Sequence, residues 1–198
     1  MKGVAKMPSG KLTFCLMLCL CALAGCGAGP YGFSKTYTPL DDEEQFHADA
    51  TEFVYEEVNG DPAAFDGKLI VWFGVVEKVT LTDDGRYEIQ LAQRKHQPRH
   101  LCDSDADDSC RVTVHFASAG GFTALVRLRP EDTTPGLDKV QPGSLLRVFG
   151  KVRCRLNDDE QTVCDYDDRG GVILDAVYYR QWPARYFVTT RAAESMRR

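Results

Sequence analysis

Four carboxylates crowd the stretch "CDSDADDSC", where Asp103, Asp105, Asp107 and Asp108 stand between Cys102 and Cys110. Oxygen ligands at alternate positions can wrap a hard cation such as calcium. Calcium-loop spacing asks for glycine at the sixth place and an acid at the twelfth. Counted from Asp103, those places hold Asp108 and Val114, so no metal is expected and the stretch reads as a solvated loop tip. His96 and His100 add zinc donors to Cys102 and Cys110. Pro98 lies between the two histidines and spoils a helical pair, and the cysteines are better used on each other. His47 and His115 stand alone and read as a helix-surface and a strand-surface residue.

The chain has no G-x-S-x-G elbow, no H-E-x-x-H and no phosphate-cradling glycine loop. The glycines of "SAGGF", Ser118 to Phe122, have no following helix signal to receive an anion. Carboxylates are plentiful, yet no pair is singled out as acid and base. The reading is a non-enzymatic protein with no cofactor. A hydrolase or metal protein working through loop carboxylates is the weaker alternative.

The strongest candidate for recognition is "SLLRVFGKVRCRL". Period-two alternation puts Leu146, Val148, Gly150, Val152, Cys154 and Leu156 on one face. Arg147, Phe149, Lys151, Arg153 and Arg155 then share the other, with Tyr179 expected nearby on the closing strand. A basic, aromatic-bearing strand face suits an anionic ligand. Set against this is an outer face that neighbouring acids neutralise. Trp72, Trp182 and Tyr178 read as barrel packing rather than a ligand platform.

What positions these residues begins with the chain's address. Lys2, Lys6 and Lys11 form a basic start, and Leu12 to Ala24 is almost wholly apolar. That is the layout of a secretory signal, and the run is shorter than the roughly 20 residues a spanning helix needs. Its end, Leu23-Ala24-Gly25-Cys26, resembles the lipobox of bacterial lipoproteins. The resemblance implies that residues 1–25 are a signal peptide and that Cys26 carries acyl chains holding the protein on a membrane. Gly27 lacks the aspartate that retains such proteins inside, which implies the outer membrane where the host has two.

Removing residues 1–25 takes away three lysines and no acid. The whole chain's balance of 24 Lys+Arg against 29 Asp+Glu, a net charge of −5, becomes more acidic still. An acidic domain repels phosphate backbones, so nucleic acid is not an expected partner. An envelope protein or glycan is. An even set of four cysteines in an exported chain points to disulfides. Three pairings are open; Cys102–Cys110 with Cys154–Cys164 is favoured because each spans a polar, turn-like segment.

Residues 26–40 are rich in Gly, Pro, Ser and Thr and read as a tether. Over 41–60, Phe46, Ala50, Phe53, Val54 and Val58 fall on one face of an amphipathic helix, with Asp41 and Glu44 as its capping box and Asn59-Gly60 as its stop. From 61 to 182 the period changes. "KLIVWFGVVEKVTL" is apolar on both faces and reads as a strand bent at Gly74, while "RYEIQLA", "RVTVHF" and "GGVILDAVYYRQW" alternate; "FTALVRL" stays undecided. Residues 183–198 form a polar, basic tail.

"FDGKLIVWFGVVEKV" and "VQPGSLLRVFGKVRC" resemble the paired first- and fourth-strand signatures of OB-fold domains. With the lipobox and tether, the layout is similar to small OB-fold envelope lipoproteins of the Slp type. The fold expected is mainly β, a five- to six-stranded OB-like barrel preceded by one amphipathic helix, with a β-sandwich as the alternative. The usual OB helix between the third and fourth strands is not evident. The function expected is a membrane-anchored, non-enzymatic binding or interaction module of the bacterial envelope. A structural accessory subunit of an envelope complex is the alternative.

Overall fold

A computed structural model describes residues 33–106, 109–136 and 138–190. Residues 1–25, expected as a signal peptide, and Cys26, expected as the lipid site, lie outside the described residues, as do Asp107, Asp108 and the last eight residues of the tail.

Five strands close into a barrel: β2 (Ile70–Leu81), β3 (Tyr87–Arg94), β6 (Gly121–Val126), β7 (Leu145–Val152) and β10 (Ile173–Trp182). Their order around the barrel is β10-β6-β3-β2-β7. All neighbours run antiparallel except β6 and β10, which are parallel. Taken in chain order this is 1-2-3-5-4 closing on 1, the connectivity of an OB-like barrel, and the sandwich alternative falls away. "FTALVRL", undecided by pattern, is the third barrel strand. Inward residues of each strand meet in one core that includes Trp72, Ile89, Leu91, Phe122, Leu146, Val148 and Leu174.

β2 is apolar on both faces because both are covered. Ile70, Trp72 and Val76 face the barrel interior, while Phe73 belongs to a second cluster with Val112, Val114, Leu145 and Trp182. That cluster is roofed by a second sheet of order β1-β4-β5-β11. It comprises β1 (Ser34–Thr36), β4 (Arg99–Cys102), β5 (Cys110–His115) and β11 (Phe187–Thr190). "RVTVHF" thus lies outside the barrel, and its Phe116 is exposed. Gly74 does not mark the break in β2, whose register shift falls between Val76 and Lys78. Its missing side chain instead makes room for Leu91, whose Cβ would lie 2.8 Å from an added methyl.

Parts of the expected tether and of the polar, basic tail are held in this second sheet. The tether's Ser34–Thr36 pairs antiparallel with β4, and the tail's Phe187–Thr190 pairs parallel with β5. Both supply extended backbone to strands whose outer edges would otherwise lack partners. The expected single helix is two short ones, α1 (Asp41–His47) and α2 (Tyr55–Gly60). Between them Thr51 makes a parallel bridge to Ile70, accepting from Val71 and donating to Leu69. That pairing demands extended backbone and interrupts the helix. The cap also sits one residue early, Glu43 reaching back to the Leu40 amide at 3.2 Å. Helix α2 does stop at Gly60, where Asn59 bonds the backbone of Val172 and Gly170.

Between β6 and β7 the chain makes one helical turn, α3 (Pro130–Thr133). The remaining strands, β8 (Cys154–Leu156) and β9 (Thr162–Cys164), form a hairpin between β7 and β10. Both local disulfides are present: Cys102–Cys110 joins the ends of β4 and β5, and Cys154–Cys164 staples the base of the hairpin.

Candidate functional site

The expected basic face is divided three ways by the fold. Arg147 and Phe149 do point away from the barrel interior, but α1 and the tether lie over them, leaving 5% and none of them exposed. A chain leaving strand β1 at Thr36 places Tyr37 and then Glu43 directly over β7. The Glu43 carboxylate accepts from Arg147, from Arg180 Nη1 at 2.9 Å and from the Tyr37 hydroxyl at 2.5 Å. Arg147 Nη2 also lies 2.9 Å from His47 Nδ1, and its guanidinium sits over the rings of Tyr37, Phe73 and Phe149. Burial pushes the Glu43 carboxyl up, but the Tyr37 hydroxyl and the Arg147 charge outweigh it and hold the group below the usual range. Tyr37 is pushed up to about 12 by burial and by its bond to Glu43. The Glu43 carboxylate is shared by Tyr37, Arg147 and Arg180, and only Arg147 Nε stays buried without a partner, which makes this a clamp between tether and barrel rather than a ligand face.

Lys151 remains exposed farther along β7. Arg153 and Arg155 leave the barrel with the hairpin, and both pair with Asp165. Tyr179 is not beside Arg147. The bulge between Ala176 and Tyr178 turns it inward, where its hydroxyl donates to Asp132 and accepts the Arg129 amide at 2.9 Å. The residue across from Arg147 is Arg180. Trp72 and Trp182 are buried, and Tyr178 stacks on Phe46 at 5.0 Å.

The zinc donor set is dismantled by the Cys102–Cys110 bridge. His96 stacks on Phe73 at 4.4 Å and His100 lies 5.1 Å from the Tyr37 ring, so both serve the second core. Burial holds His96 down to about 3, helped by the charge that His100 and Arg147 would oppose to it; burial and Arg180 hold His100 at about 4. His47 touches Arg147 in the clamp instead of standing alone. In the acidic loop, Asp103 pairs with Arg111 at 2.7 Å. Among the described residues no three His, Cys, Asp or Glu side chains are grouped to hold a metal.

A different surface gathers three arginines, one of them open. OB barrels bind ligands on the outer face of their second and third strands, between the loops after strands one and four. Here those strands are β3 and β6, flanked by β10. One half of that face is closed by residues 165–171: Asp168 accepts from Gln90 at 3.1 Å, Asp167 accepts from Thr123 at 2.8 Å, and Arg169 reaches the Phe122 carbonyl. The other half is open, because the β6–β10 ladder ends at Leu125 and Asp175 and the strands then diverge. The gap is a cleft of about 370 Å³ lined by Arg86, Arg127, Arg129, Asp175, Val177 and Tyr179.

Two of its arginines are fixed in place. Arg86 is tied to Asp84 at 2.7 Å and to Asp175 at 3.0 Å, and Arg129 to Asp132 at 2.8 Å with its guanidinium over the Tyr179 ring. Arg127 is exposed and has no ion or hydrogen-bond partner among the described residues. Exposed Val177 stands on the opposite wall. The arrangement offers one open guanidinium and two pre-oriented ones beside an apolar surface. Sequence reasoning missed it, although "LVRLR" continues the outward row Thr123, Leu125, Arg127 and carries the signal.

No family model matches this chain, and no curated relative matches it. Among solved structures it is similar to the small single-stranded DNA-binding protein of Streptomyces coelicolor, at 15% identity and a TM-score of 0.32. That match covers 59% of this chain and 95% of the other. The strand order, not this likeness, carries the OB-like assignment.

Proposed function

We propose that the chain is a lipid-anchored, non-enzymatic binding module of the bacterial cell envelope that takes a carboxylate-bearing ligand in the β3–β6–β10 cleft. The observation that carries the binding reading is Arg127: an exposed guanidinium without a partner among the described residues, at the mouth of a cleft on the OB ligand face. Guanidinium pairs bind carboxylates through short, charge-assisted bonds. An acidic envelope glycan or an acidic side chain of an envelope protein presents that group. Nucleic acid fits poorly, because a phosphate backbone asks for many basic contacts, whereas the chain carries 24 Lys+Arg against 29 Asp+Glu and the cleft offers one open guanidinium.

The lipobox supports the anchor, and the two local disulfides suit an oxidising compartment. Strand β1 begins at Ser34, so the segment between Cys26 and the folded surface spans at most about 29 Å. The barrel would then work close to its membrane. An accessory-subunit role would use the same cleft for a protein partner.

Two measurements test the two halves of this reading. Mass spectrometry should find acyl chains on Cys26, and Cys26→Ser should move the protein from the membrane to the soluble fraction. An unmodified Cys26 would end the lipoprotein reading. Titration with acidic envelope glycan fragments and with acidic peptides should show binding that Arg127→Ala weakens about tenfold, the worth of one charge-assisted contact. Equal affinity in Arg127→Ala would remove the cleft from the function.

A further inference from the structure

A second groove, of about 490 Å³, opens between the end of β2, the start of β3 and the segment leading into β7. Leu81, Tyr87, Leu128 and Val140 line it, and Leu81 is 62% exposed. Lys78 and Lys139 stand in its wall, both exposed, and neither ammonium group has an ion or hydrogen-bond partner among the described residues. Its carboxylates are already engaged, Glu77 with Arg169 and Asp132 with Arg129 and Tyr179. What remains is an apolar trough with two open ammonium groups, complementary to an apolar segment that carries acids.

The chain itself presents such a segment. The β8–β9 hairpin projects from the far end of β7, stapled at its base by Cys154–Cys164. Its Leu156 is 68% exposed, and its tip carries Asp158, Asp159 and Glu160, exposed and without ion partners among the described residues. The tip is held in one shape: Asn157 Oδ1 accepts the amides of Asp159 at 3.0 Å and Gln161 at 2.8 Å. A rigid finger loses little conformational entropy on docking.

Finger and groove lie at opposite ends of β7. Lys139 precedes Leu145, where β7 begins, and the hairpin follows Val152, where it ends. An eight-residue strand spans about 26 Å, so the hairpin does not reach its own groove. We propose that the acidic β8–β9 finger of one copy docks in the lysine-flanked groove of a second copy, joining the chains head to tail. Such a contact is heterologous, and it builds open rows unless the rotation closes a ring. Rows of a lipid-anchored chain would also set binding clefts side by side, although the contact itself does not depend on the anchor or on the cleft.

Sedimentation velocity of residues 26–198 carrying Cys26→Ser keeps association through acyl chains or the apolar run before Cys26 out of the readout. Sedimentation should rise with protein concentration at about 0.1 M salt and much less at about 1 M, where screening shortens from roughly 10 to roughly 3 Å. Lys78→Glu with Lys139→Glu, and separately Asp158→Lys with Asp159→Lys, should each weaken association at least tenfold. Mixing the two charge-reversed proteins should restore it, because the reversed finger then meets the reversed groove. Leu156→Asp added to both should abolish the restored complex, since each protein's finger meets the other's groove, and unchanged melting temperatures would show that the variants fold. A chain monomeric at all concentrations overturns the proposal. So does association that the lysine reversals leave intact, since another surface would then carry it, or a mixture that stays monomeric.

Discussion

Arg147 and Arg127 occupy the same kind of position, an outward place on a strand of the OB-like barrel, and meet opposite fates. Arg147 is covered by the tether and α1, keeps 5% of its surface and is held by Glu43, His47 and three aromatic rings. Arg127 lies where β6 and β10 part, is exposed, and meets no partner among the described residues. Strand alternation decides which way a side chain points. What lies above that face decides whether its charge serves the fold or remains open to a ligand.

The largest effect expected is at the clamp. Glu43→Ala leaves Arg147 buried and Arg180 half-buried without their carboxylate, and should lower unfolding free energy by about 3–5 kcal/mol, measured in urea. Glu43→Leu with Arg147→Met should restore most of it, because an apolar pair of similar volume removes both desolvated charges. If Glu43→Ala melts like the parent, the Arg147 face is not a clamp and the contrast with Arg127 collapses.

A smaller effect follows from the histidines beside the clamp. His96 and His100 face Tyr37, Glu43, His47, Arg147 and Arg180 and are held at about 3 and about 4, below the unfolded value of 6.5. Between those values the unfolded chain binds more protons than the folded one, so stability rises with pH. The contribution is complete above pH 6.5 and should be lost as pH falls toward 4 and then 3. His96→Phe keeps the ring stacked on Phe73 and should flatten the urea midpoint between pH 6.5 and 4.5. An unchanged slope would mean that other groups carry the acid sensitivity.

The sequence made the barrel legible wherever one face of a strand is buried, since Ile89 and Leu91, or Val148 and Val152, recur at period two. It also made both local disulfides legible, because short polar segments bring their cysteines together. It was silent where a partner lies far along the chain. Thr51 interrupts the expected helix by pairing with Ile70, and the tail becomes β11 by pairing with β5. The basic strand has the alternation its pattern predicts and a cover its pattern does not, because nothing in "SLLRVFGKVRCRL" says that Glu43 will sit on Arg147. The cleft stayed hidden for the complementary reason: it is a gap, set by where two strands separate and not by any residue's type.

The smallest effect on stability is expected at Arg127, and that smallness is what gives the comparison its point. An exposed guanidinium with no partner among the described residues contributes little to folding, so Arg127→Ala should leave the unfolding free energy measured in urea within about 0.5 kcal/mol of the parent. Arg86→Ala should do more, because it frees Asp84, held at about 2 chiefly by its bonds to Thr82 and Arg86, and Asp175 beside it. If binding of an acidic ligand falls in both variants while stability falls only in Arg86→Ala, the cleft separates an arginine that recognises from one that is held to orient. A destabilised Arg127→Ala would place Arg127 with Arg147, as a structural charge, and leave the barrel without an open arginine on its OB face.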